Sequence, residues 1–363
     1  MRRPVVAIHP AATAPTTRSP DDRVQAPSPI AARRSAAALA IPALLVVLGM
    51  LVLASFVFGV RDVTFGDVIA GMQGQTDTIA EAAVAARVPR TILGVLAGAA
   101  LAISGAVMQG ITRNPIADPG ILGVTSGAAF AVVLGLAAFG LTSSWGFIGM
   151  AIIGAAGAAA FVYGVGSLGP DGATPLKLAL AGAAVTAALT SLVAAVLLPR
   201  ADLMQGFQSW QIGGLGGADW SKLAALAPII VLGLAICLSG AGGLNALSLG
   251  DDVAVSLGVQ VTRTRLIAAT GAVILAGAVT AIAGPIAFVG LVVPHLCRIL
   301  AGADYRWLLP LSGIAGAIPL LASDVIGRLV APANQEIQVG IVTALIGAPV
   351  FIWVVRKRSV RAL

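Results

Sequence analysis

Charge, reactive thiols and aromatic rings are all scarce in this sequence. Only 10% of its 363 residues are Asp, Glu, Lys or Arg, against roughly 25% in soluble domains. A water-solvated surface cannot easily be built from so few. From Ile121 to Pro170, 50 residues pass without one of these four types. The two cysteines, Cys237 and Cys297, both sit in apolar runs, where free Cys behaves as a small hydrophobe. They do not point to a disulfide framework and offer no CxxC spacing for a metal. His295, in "VPHLCR", is the only histidine in the apolar part of the chain. Alone, it reads as a hydrogen-bonded structural group, and no metal or cofactor is expected. There is no Gly-Lys pair, hence no GxxxxGK[ST] phosphate loop, so the chain is not expected to hydrolyse ATP itself. No Ser/His/Asp or paired-carboxylate arrangement falls within an apolar run, and no catalytic residue is assigned.

What the chain has is hydrophobicity: 58% apolar residues and a mean hydropathy of +0.99. Apolar runs lie near 39–60, 91–110, 121–141, 146–168, 176–198, 223–240, 266–283, 286–301, 307–322 and 338–355. A bilayer core takes about 20 apolar residues per helix, and lipid leaves no water for an open backbone. The runs therefore predict an all-α polytopic membrane protein with about ten transmembrane helices. Gly284-Pro285 reads as a tight turn between two of them. With the N-terminus placed in the cytoplasm, 16 of the Lys and Arg residues fall inside and 6 outside. The acids split almost evenly. That bias obeys the positive-inside rule and puts both termini in the cytoplasm. The net charge of +7 thus reports membrane orientation, with no nucleic-acid partner implied.

Residues 1–38 hold six prolines and six arginines and read as a disordered cytoplasmic tail, with contact to the membrane lipid surface as the alternative. The apolar domain spans 39–358, and 359–363 forms a short cytoplasmic end. Leu96–Gly105, LAGAALAISG, matches Leu275–Gly284, LAGAVTAIAG, at seven of ten positions. Opposite directions across the membrane would make this an inverted repeat; chance similarity in an Ala/Gly-rich chain is the rival. Gly98 and Ala102 place small residues four apart, which permits close helix approach. "RNPIADPG", Arg113–Gly120, interrupts two apolar runs. Pro115 removes a donor and biases Asn114 out of helical geometry, and Asp118-Pro119-Gly120 makes a turn in which Gly120 is free to take positive φ.

That stretch stands in the longer run "RVPRTILGVLAGAALAISGAVMQGITRNPIADPGILGVTSGA". Later come "WQIGGLGGADW", "LGVQVTRTR", "AGPIAFVGLVVPHLCRILAGADYRWLLP", "SDVIGR" and "VGIVTALIGAPVFIW". In this order, over residues 39–358, they resemble the FecCD family, the permease subunits of iron-siderophore and vitamin B12 ABC importers. The Pro-rich tail departs from the resemblance, being longer than the family usually shows. The resemblance implies a ten-span subunit in the bacterial cytoplasmic (inner) membrane. It also implies a second permease subunit, the same chain or a sister, two ABC ATPase subunits and an extracytoplasmic solute-binding protein. A ferric siderophore is the expected substrate, with cobalamin and haem as alternatives.

Three groups of residues are expected to carry function. The segment 244–265 reads as a short helix ended by Gly258, with Asp251 and Asp252 at its N-terminus. In the family this position docks on the ATPase, which implicates Asp251, Asp252, Ser256, Leu257 and Gly258. Arg87, Arg90 and Arg328 are placed at outer ends of spans, where the resemblance implies docking to binding-protein carboxylates. Snorkelling to lipid and, for Arg328, a local i, i+4 pair with Asp324 are the plainer readings. Gly182, Thr186 and Thr190 mark one face of the fifth span, the span that lines the family's pathway, although back-bonding to their own helix would also explain the threonines. Thr174 and Pro175 match the family's inner gate region. An ion-coupled secondary transporter is the rival class; it would bury an ionisable residue near the midplane, and the charges here cluster at span ends.

Overall fold

The structure, a computed structural model, describes residues 29–141, 143–168, 174–332 and 335–359. Its elements run α1 (Pro29–Val57), α2 (Phe65–Met72), α3 (Ile79–Thr112), a 3-10 turn (Pro119–Leu122), α4 (Val124–Phe139), α5 (Ser144–Gly166), α6 (Pro175–Leu197) and α7 (Ala201–Gln211). They continue with α8 (Trp220–Ser239), α9 (Ala241–Ser248), α10 (Asp251–Ser256), α11 (Val261–Ala283), α12 (Val289–Ala301), α13 (Tyr305–Val330) and α14 (Val339–Ser359). The described residues form no strand. Seven helices are long and apolar enough to cross a membrane, and α4, α12 and α14 are shorter apolar helices. Each expected apolar run has its helix.

The boundaries differ from the expected ones for local reasons. Helix α1 starts at Pro29, ten residues before its apolar run, so the last part of the expected tail is helical; residues 1–28 lie outside the described residues. Helix α3 is 34 residues long and starts at Ile79 rather than near 91. A capping box starts it: the Thr78 hydroxyl accepts from the Glu81 amide while the Glu81 carboxylate accepts from the Thr78 amide, satisfying two otherwise orphaned donors. Arg87 and Arg90 do not interrupt it, because neighbouring helices supply their partners. Helices α2, too short for the membrane pattern, and α7, short and polar as well, were not anticipated.

The interior belongs to α3, α11 and α13. In their most apolar stretches 78%, 67% and 61% of residues are buried, against 11% in α1 and 17% in α6. Helix α3 earns this position through small residues. A Cβ on Gly98 would lie 2.4 Å from the Gly316 carbonyl oxygen of α13, and one on Gly105 would lie 1.8 Å from that of Gly290 in α12. Such backbone-to-backbone approach is how helices associate when lipid tails are as apolar as their side chains. The two similar decapeptides lie in α3 and α11, which Ser104 links by donating to the Ala272 carbonyl at 2.7 Å.

Both breaks end a helix. Arg113 ends α3 in the left-handed region, φ 51°. Asp118 caps the 3-10 turn by accepting from the Gly120 amide at 2.8 Å. The positive φ expected of Gly120 belongs instead to Gly123, at 72°, because the 3-10 turn carries the chain three residues further before α4 begins. At the other break Gly284, φ 70°, ends α11, and residues 284–288 run without helix to α12 where a tight Gly-Pro turn was expected.

Candidate functional site

At the end of the bundle expected to face the cytoplasm, α9 and α10 form a two-helix ledge. Helix α10 covers most of the expected helix, and Gly258, φ 79°, stops it. Asp251 and Asp252 occupy its first turn. Asp251 does more than favour a helix N-terminus: it pairs with Arg113 and, at 3.1 Å, with Arg265. Arg113 also donates from Nε to the Leu247 carbonyl at 2.8 Å. The arginine that opens "RNPIADPG" therefore ties the end of α3 to both ledge helices. Asn245 completes the anchorage, donating to Asp304 at 2.8 Å and accepting from the Tyr305 amide at 2.8 Å. Outward, the ledge presents Leu249, Val253, Val255 and Leu257, the last 61% exposed. Ser256 turns its hydroxyl back to the Val253 carbonyl at 2.7 Å. Asp251 and Asp252 at its start and Gly258 at its end suggested the helix; nothing local in the sequence announced Arg113 as its anchor.

Beneath the 3-10 turn, Met108, Thr112, Asn114, Asp118, Ile121 and Leu178 line a cavity of about 20 Å³, room for about one water molecule. Burial pushes the Asp118 carboxyl above the usual carboxylate range, against the opposing pull of the Gly120 amide.

On α6 the expected pathway face turns inward. A Cβ on Gly182 would lie 1.7 Å from the Ile121 carbonyl oxygen, so this glycine exists to seat the 3-10 turn. Thr186 accepts from Ser126 of α4 at 3.3 Å. Only Thr190 of the three is exposed. The open face carries Leu176, Leu180 and Leu192 instead. Thr174 caps α6 by accepting from the Lys177 amide at 3.3 Å, with Pro175 as first helical residue. Residues 169–173, in the expected gate loop, lie outside the described residues.

At the opposite end, the three arginines meet, but not as free surface charges. Arg87 and Arg328 are 6% and 4% exposed. Arg87 donates to the carbonyls of Phe56, Val57 and Arg61 at 2.7, 3.1 and 3.0 Å. Arg328 donates to those of Ser55 and Phe58, both at 3.0 Å, and to the Ser55 hydroxyl at 2.8 Å. Together they satisfy the orphaned carbonyls at the end of α1 and oppose its negative dipole end. That corrects the expectation of outward-facing docking charges for these two. Asp324, fully buried, sits between Arg328 at 2.9 Å and Arg90 at 2.8 Å, so the expected i, i+4 pair is part of a triad. Arg90 reaches on to Glu336 at 2.7 Å, where the carboxylate is 36% exposed. This acid was missed because it lies 246 residues from Arg90.

The matches to known proteins follow the same span. The FecCD transport family model covers residues 44–357. The chain belongs to the FecCD transport family. It is 42% identical over 326 residues to the ferric enterobactin transport system permease protein FepD of Escherichia coli (strain K12), covering 89% of this chain and 96% of that one. It is 44% identical over 271 residues to the iron(3+)-hydroxamate import system permease protein FhuB of Bacillus subtilis (strain 168), covering 75% and 70%. A solved structure described as an inward-facing conformation of a metal-chelate type ABC transporter aligns with TM-score 0.76 and 31% identity, over 88% of this chain and 99% of that chain. As a FecCD-family chain with several membrane-length helices, the protein is a multi-pass membrane permease. Among the described residues no group of three His, Cys, Asp or Glu side chains is placed to hold a metal ion.

Proposed function

We propose that the chain is the membrane permease subunit of an ABC importer for a ferric siderophore, working beside a second permease subunit, two ATPase subunits and an extracytoplasmic binding protein. The near full-length match to a ferric enterobactin permease carries this reading. Ten helices cross the bacterial cytoplasmic membrane, the shorter α4, α12 and α14 among them, and both termini face the cytoplasm. The α9–α10 ledge enters the ATPase: its apolar outer face needs a partner, and its Arg113 and Arg265 ties to Asp251 give it a stiff connection to α3 and α11. Movement of the ledge can thus be passed to the helix at the centre of the bundle. Hydrolysis of ATP takes place on the partner subunits.

The iron chelate passes along the open face of α6, Thr190 included, while Gly182 and Thr186 hold that helix against its own subunit. Thr174 and Pro175 set the start of α6 at the inner mouth. On the outer side Arg90 meets the binding protein, because its bond to Glu336 is the solvent-exposed link of the cluster; Arg87 and Arg328 hold the rim in shape from below. Asp324 is neutralised by two arginines of its own subunit, which suits a structural acid better than one that must bind and release a coupling ion.

The test is uptake of iron-55 siderophore into proteoliposomes holding the chain with its ATPase and binding protein. Uptake that needs both ATP and the binding protein is the expected result. Uptake that persists without ATP and follows an ion gradient would overturn the reading.

A further inference from the structure

The short helix α2 has three faces, and only two have an occupant. Val68 is buried and Gly71 meets α3 so closely that a Cβ there would lie 2.6 Å from that of Val84. Val68, Val84 and Phe56 form a small core of their own that joins α2, α3 and α1. A second face carries Asp67, whose carboxylate accepts from the Thr64 amide and hydroxyl at 2.7 Å each. These bonds hold it below the ordinary carboxylate range, so it stays charged and in water. The third face is a stripe of Phe65, Ile69 and Met72, at i, i+4 and i+7. They are 79%, 45% and 52% exposed.

The roll of α2 is fixed by the glycine contact on one side and the capping box on the other. The stripe is therefore a built surface. Leu53 and Val57 of α1, and Phe58 just after it, also lie open, and α1 has the smallest buried share of any long span. A membrane helix so little buried in its own subunit leaves its apolar side chains to lipid or to a neighbouring subunit, and α1 carries no polar stripe that would line a pathway over Leu39–Val57. Helix α2 begins eight residues after α1 ends, which keeps it near the end of that span, the side on which hydrocarbon gives way to headgroups. Aromatic and apolar side chains favour that depth when the opposite face is polar.

We propose that α2 is an interfacial helix, with Phe65, Ile69 and Met72 seated in lipid at the boundary between headgroups and acyl chains. It rests on the chain's membrane location and is independent of the transported substrate. Helix α2 contains no Lys or Arg, so its seating comes from apolar burial and not from attraction to anionic lipid. Its role is to fix the depth of the α1–α3 corner beneath the arginine cluster.

Site-directed spin labelling tests this. Cys237 and Cys297 are both buried, so a cysteine introduced by Ile69→Cys or Met72→Cys is labelled selectively. Gln73→Cys, on exposed chain just past α2, serves as the water-facing control. In nanodiscs of phosphatidylethanolamine and phosphatidylglycerol, labels at 69 and 72 should be relaxed more by oxygen than by a water-soluble nickel chelate. The order should reverse at 73, and raising salt should change neither. Nickel access at 69 and 72 equal to that at 73 would overturn the proposal. So would nickel access that disappears only when a soluble binding protein is added, since a protein would then cover the stripe. Loss of transport with lipid-type accessibility intact would count against the proposed function alone.

Discussion

Replacing Asp324 with alanine should destabilise the protein more than any other single change at the arginine cluster. The carboxylate is fully buried and lies within 2.9 Å of both Arg90 and Arg328. Arg90 keeps Glu336 after the change, at 2.7 Å. Arg328, with a side chain 2% exposed, keeps only uncharged oxygens, from Ser55, Phe58 and the backbone carbonyl of residue 324. It becomes a buried charge without a counter-ion. Breaking a buried pair from one side costs about 3–5 kcal/mol, and the surviving Glu336 argues for the lower end of that range. Arg328→Met in the same chain removes the stranded charge while filling much of its volume. The double variant D324A/R328M should therefore recover part of the loss, a coupling of about 1 kcal/mol or more. Reversible unfolding in mixed micelles, followed by near-ultraviolet circular dichroism, measures all three variants. A loss below about 1 kcal/mol for D324A, or a double variant equal to the sum of the singles, would refute a tightly coupled buried triad.

Leu257→Arg should leave folding intact, since the side chain is exposed, yet abolish binding-protein-stimulated transport and reduce ATPase co-purification; unchanged values for both would remove the ledge from the coupling path. Arg113→Ala should lower transport while preserving co-purification, because the ledge keeps its outer face but loses its tie to α3. Gly105→Val should prevent proper packing of α3 on α12, since even a Cβ would overlap the Gly290 carbonyl, and should show as loss of monodisperse protein in size-exclusion chromatography. For Asp118, burial raises the folded-state pKa, so the folded form holds its proton to higher pH than the unfolded chain does. Its contribution to stability falls as pH rises from the ordinary aspartate range through the folded-state value. Asp118→Asn keeps the oxygen that caps the turn, so it should be stabilising at neutral pH, with the difference from wild type shrinking as pH drops; a constant difference across pH would contradict the buried charge.

Hydropathy is a one-dimensional property, and whatever depended on it alone was legible in the chain. The membrane class, the helical content and the positions of the apolar helices follow from run length and from the cost of an unsatisfied backbone in lipid. So do the breaks at Arg113–Gly123 and Gly284–Phe288, where Pro and Gly act on their own backbone. The short helix at Asp251 was likewise visible, because its start and its glycine stop are local. What the sequence could not decide was the direction in which a residue faces once its helix is packed. Arg87 and Arg328 read as surface charges, yet their partners are α1 carbonyls 31 and 273 residues away. Gly182 and Thr186 fit a pathway stripe by spacing, yet Gly182 packs on the Ile121 carbonyl and Thr186 bonds Ser126, leaving Thr190 as the open member. Spacing along a helix fixes which residues share a face; only the packing of the other helices decides whether that face meets protein, lipid or water.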